Sequence, residues 1–128
     1  MTPEPFQYAV IRVVPRIERE EFLNVGVILF CRTMSFLQAR VALDPRRLEL
    51  LSPGVDADEL AAHLDARVRT AAGDPDAGPI AQMPQSERFH WLAAPSSTVI
   101  QTSSVHSGLC DDPEATLNRL FHGLVTAT

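Results

Sequence analysis

The stretch Arg19–Arg32, Arg-Glu-Glu-Phe-Leu-Asn-Val-Gly-Val-Ile-Leu-Phe-Cys-Arg, constrains this chain more than any other. A charged connector turns within it into the most apolar run of the sequence. In an extended chain Leu23, Val25, Val27, Leu29 and Cys31 share one side, all apolar. Asn24, Gly26, Ile28, Phe30 and Arg32 share the other, which is apolar only in its later half. A strand covered on one face and partly on the other belongs inside a sheet. An amide and a glycine near its start predict a bulge or the close approach of a neighbour.

The flanking segments supply that neighbourhood. Phe6–Val14 reads as a strand rich in aromatic and β-branched residues, with Arg12 its only charge and Pro15 its stop. Arg16–Phe22 is a charged connector with room for one helical turn. Phe36–Asp44 alternates Leu37, Ala39, Val41 and Leu43 with polar or small residues, a strand wet on one face. Together these make a three-stranded antiparallel meander. Asp44-Pro45 then opens a short helix carrying Leu48, Leu50 and Leu51. Asp56, with Glu59 three residues on, opens a longer one with the stripe Leu60, Ala61, Leu64, Val68 and Ala71, stopped by Gly73.

Residues 73–85 hold three prolines and two glycines, and predict a mobile loop. Ser86–Ala94 reads as a short helix containing Phe89 and the only tryptophan, Trp91. Thr98–Val105 reads as a fourth strand whose polar content suits an edge. Asp112-Pro113 opens the last helix, with Leu117, Leu120, Phe121, Leu124 and Val125 on one stripe. The expected fold is a single α+β domain over residues 1–128. It has an antiparallel sheet of about four strands, the meander plus one later strand, with helices packed on one face.

Composition narrows the function classes. Hydrophobic residues at 45% suit a folded core, and no apolar run reaches the ~20 residues a membrane span needs. The reading is therefore a cytoplasmic protein without a membrane partner. All eleven basic residues are arginine, which lowers the weight any one arginine carries as a functional signal. A formal net charge of −5 argues against a nucleic-acid partner, because phosphate neutralisation needs a basic surface. Phosphate-cradling loops, paired Cys-x-x-Cys and the usual hydrolase motifs are absent from the sequence, so no cofactor and no metal are expected. The tightest metal-like group is His106, Cys110, Asp111 and Asp112, but Asp112 already serves as a helix cap. Cys31 falls on an apolar strand face. Cys110 precedes a helix, a position that can lower a thiol pKa.

The remaining polar positions form one candidate cluster: Arg12, Glu21, Asn24, Ser104 and His106. Pairing the first two strands brings Arg12 towards Asn24, and Glu21 is the nearest carboxylate to neutralise Arg12. That ion pair could lock the connector or be part of an anion site. Trp91 and Gln101 form a second candidate, an interface on the edge strand and the short helix beside it.

Two sets of residues carry a resemblance. Tyr8-x-x-x-Arg12-x-x-Pro15 is followed by Arg19-x-Glu21-Phe22-x-Asn24-x-Gly26-Val27-x-Leu29. Later come Phe89-x-Trp91-Leu92-x-x-Pro95, His106-x-Gly108 and Asp112-Pro113. Across nearly its whole length the chain resembles the bacterial family known as domain of unknown function 3037. The resemblance implies no reaction and no cofactor. It implies genomic company, since such proteins are often encoded beside HipA-like kinases. The function expected is a non-enzymatic accessory or partner-binding module, with such a kinase as one possible partner. The alternative is a small enzyme with a polar site built from Glu21, Asn24, Ser104 and His106.

Overall fold

The computed structural model describes residues 2–96 and 98–127. Its centre is the expected meander: β1 (Glu4–Val13), β2 (Leu23–Cys31) and β3 (Phe36–Val41). The connector between the first two makes one 3-10 turn, Ile17–Arg19. Three helices follow, α1 (Pro45–Leu51), α2 (Ala57–Ala72) and α3 (Gln85–Leu92), then β4 (Ile100–Thr102) and β5 (His106–Cys110). Helix α4 (Pro113–Phe121) runs on into a π-helical turn, His122–Thr126. The caps follow the sequence, with Asp44, Asp56 and Asp112 accepting from N–H groups of the first turns of α1, α2 and α4. No helix among the described residues is long and apolar enough to cross a membrane.

The expected α+β architecture is what the chain adopts, an open antiparallel sheet with helices packed on it. Its order is β3-β2-β1, with β4 and β5 both pairing the free edge of β1. The expected strand Thr98–Val105 is thus reduced to β4 and a break, and β5, beyond its end, adds a fifth strand. Ser103 makes the break. Its N–H donates to the Val10 carbonyl at 2.8 Å, while its hydroxyl accepts the Val10 N–H at 2.9 Å. A side chain takes the place of a ladder carbonyl there, so the chain can leave the sheet after Thr102 and rejoin it at His106.

Helices cover both faces of the sheet, where one covered face was expected. Helices α1, α2 and α3 bury Leu48, Leu60, Leu64, Ala71, Phe89 and Leu92 against Ala9, Ile11, Val13, Ile28, Phe30, Leu37 and Ala39. Helix α4 and the turn after it take the opposite face, burying Leu117 and Val125 with Phe6, Val27, Leu29, Cys31 and Cys110. The cause is visible in β2, whose residues from Val27 onwards are apolar on both sides. At its start a bulge opposite Ile11 and Arg12 inserts one residue, Val25. The bulge turns Leu23 and Val25 to the face of Ile28 and Phe30, not to that of Val27 and Leu29. Gly26 follows it, where a Cβ would lie 2.7 Å from the Arg40 carbonyl oxygen and 2.8 Å from a Val41 methyl. Only glycine lets β3 come so close.

The stretch 73–85, expected to be a mobile loop, is pinned. Arg69 pairs with Asp74 at 2.8 Å, and Gln82 Nε2 donates to the Asp74 carbonyl. Arg88 donates to the carbonyls of Met83 and Ala71, and Ala81 is buried in a 3-10 turn, Ile80–Gln82. Proline and glycine shape this segment; arginine side chains hold it.

Candidate functional site

The first candidate cluster divides. Arg12 lies directly opposite Asn24 on β2 and Gln101 on β4, so one row of three polar residues crosses the sheet. Glu21 is not its partner. It forms an ion pair with Arg19 on the connector, where two exposed side chains two residues apart meet without crossing the sheet. Arg12 instead lays its guanidinium over the Phe22 ring, 4.1 Å from the centroid. Asn24 donates from Nδ2 to the Leu124 carbonyl at 3.2 Å, tying β2 to the turn after α4. Arg12 Nε and Asn24 Oδ1 are screened from solvent and have no hydrogen-bond partner among the described residues.

His106 and Ser104 lie elsewhere. His106 pairs with Tyr8 and packs its ring against the tyrosine ring at 5.2 Å. Tyr8 and Arg12 are four residues apart on β1, about 13 Å along a strand. Ser104 is exposed in the break between β4 and β5, where its carbonyl accepts from the Ser103 hydroxyl. Glu21, Asn24, Ser104 and His106 therefore do not converge on one cavity. Cys110 is buried, and that burial pushes its thiol pKa up, opposite to the lowering its place ahead of α4 suggested. Among the described residues no three or more His, Cys, Asp or Glu side chains are placed to hold a metal ion.

The second candidate is where the surface opens. Trp91 is 54% exposed, while Phe89 and Leu92 of the same short helix are buried. With 3.6 residues per turn, Phe89 and Leu92 share the inner face and Trp91 points away from it. It flanks a groove of about 580 Å³ between α2 and the segment leading into β4, floored by Val55, Leu60 and Ile100. Val99, 41% exposed, lines the groove as well. Asp56, Glu59, His63 and Arg67 supply charged or titratable side chains along α2. Gln101 does not line the groove. Its side chain donates to the Thr98 carbonyl, and its backbone pairs with Arg12.

The groove was only half legible in the sequence. Trp91 was identifiable as an anchor, but its partners on α2 come from a stripe that otherwise reads as core and solvent. Val55, Leu60 and Arg67 line one groove with Val99 and Ile100 because β4 returns to the edge of β1.

A family model described as "Protein of unknown function (DUF3037)" matches residues 8–125. The chain belongs to the DUF3037 family. The match runs from within β1 into the turn after α4, so the polar row and the groove fall inside the DUF3037 region. No curated protein and no solved structure matches the chain.

Proposed function

We propose that this DUF3037 domain is a non-enzymatic, partner-binding module, and that it docks another protein through the groove between α2 and the segment before β4. The observation that carries the reading is Trp91. A large aromatic side chain left more than half exposed beside exposed Val99, over an apolar floor, is the anchor arrangement of protein interfaces. Resemblance to a family encoded beside HipA-like kinases makes such a kinase, in a bacterial cytoplasm, the first partner to test.

The test is titration of the purified chain with that kinase, followed by the fluorescence of its one tryptophan. The expected result is saturable binding that shifts Trp91 emission and weakens at least tenfold in Trp91→Ala and Val99→Asp variants, the alanine variant read by calorimetry. If both variants bind as tightly as the parent, the groove is not the interface. Substrate turnover that His106→Ala abolishes would overturn the non-enzymatic reading.

A further inference from the structure

Charge along the groove is graded. Asp56 and Glu59 line one end, both near the start of α2, and Glu59 stands 3.9 Å from His63. Arg67 lines the other end, beside Thr70 and Trp91. Eight residues of helix separate Glu59 from Arg67, about 12 Å at 1.5 Å per residue. Leu60, Ala66, Val99 and Ile100 supply apolar lining.

Arg67 differs from its neighbour on α2, Arg69, which pairs with Asp74. Arg67 has no carboxylate partner among the described residues, and its one hydrogen bond is long, 3.5 Å to the Leu92 carbonyl. It is nevertheless partly buried, and that desolvation lowers its pKa. A guanidinium partly withdrawn from water, without a counter-ion, at the mouth of an apolar groove is complementary to a carboxylate that arrives with an apolar body.

We propose that the groove takes an extended, largely apolar segment of a partner protein, with an Asp or Glu carboxylate on Arg67 and a basic side chain against Asp56 and Glu59. Three or four residues of extended chain cover the distance between the two ends. The occupant is thus defined by order and spacing: one acid, an apolar or aromatic interior that meets Trp91, and one Lys or Arg three to four positions from the acid. This rests on the docking reading above and adds the chemistry of the docked segment.

Selection of a random decapeptide display library on the immobilised chain tests both levels separately. The expected winners carry an acid and a base at that spacing with apolar residues between, and their synthetic copies shift Trp91 fluorescence. Replacing the acid of a winner by its amide should weaken binding at least tenfold on the parent chain and leave it unchanged on Arg67→Gln. The peptide change keeps the test decisive even if the protein variant folds poorly. Winners that bind the groove but carry no acid, or bind equally as amides, overturn the carboxylate inference while the docking surface stands. Enrichment no greater on the parent chain than on Trp91→Ala, or winners that leave Trp91 fluorescence unmoved, overturns both.

Discussion

Arg12 illustrates how far a single residue can be read. A lone charge in an apolar strand asks for a partner, and sequence proximity nominated Glu21. Pairing with Asn24 was legible, because a short connector between antiparallel strands leaves few registers. The ion pair was not, because Arg19 lies two residues from Glu21 and reaches it without crossing the sheet. What Arg12 gains is the face of Phe22. Arg12→Ala is therefore expected to cost about 1 kcal/mol, the scale of a partly exposed cation–π contact. Breaking a buried ion pair would cost ~3–5 kcal/mol. Urea unfolding of the variant distinguishes the two, and a loss in the upper range would mean that Arg12 has a charged partner after all.

Among the elements, helices α1, α2 and α4 were the most legible, since an aspartate cap ahead of a periodic stripe specifies both a start and a buried face. Strand β5 was not legible. His106, Ser107 and Leu109 are exposed, and Gly108 sits under the Phe6 ring, whose carbons would lie 2.7 Å from a Cβ. An edge strand with one buried side chain leaves no alternation to read. The hinge between β4 and β5 rests on one hydroxyl. Ser103→Ala should destabilise the chain by about 1–3 kcal/mol, the penalty for a buried N–H left without an acceptor. Hydrogen exchange checks it directly, with faster exchange expected at the Val10 amide.

The pinned segment after α2 belongs to the same scale. Its prolines and glycines suggested motion because composition records turns and not the arginines that reach back over them. The Arg69 hydrogen bond holds the Asp74 carboxyl below its ordinary value of 3.8. A carboxyl with a lowered folded-state pKa contributes stability that is present above the ordinary value and fades as pH falls through the folded one. Asp74→Asn should accordingly flatten the decline of Tm below about pH 4 and leave its slope at neutral pH unchanged. A variant curve parallel to the parent's throughout would show that the pair adds nothing.

At the scale of the molecule, the sheet is the shared wall of two cores. The sequence pattern implied a one-sided arrangement, yet the later half of β2 is apolar on both faces, and α4 answers the second. Leu117, fully buried there, is the test position. Leu117→Ala should lower stability by about 2–5 kcal/mol in a single cooperative unfolding transition, because both cores lean on the same strand. Two separate transitions would mean that the faces fold independently.

The edge of β1 that receives Ser103 has a further consequence during synthesis. Val10 and Ser103 are 93 positions apart. A ribosome adding 5–20 residues per second needs roughly 5–20 s to supply the second after the first. Throughout that interval the nascent meander presents β1 with one row of peptide groups unpaired, beside some of the most apolar residues in the chain. A trigger-type holdase that shields extended apolar segments would find its substrate in that window, and slowing elongation ahead of residue 100 should lower the soluble yield.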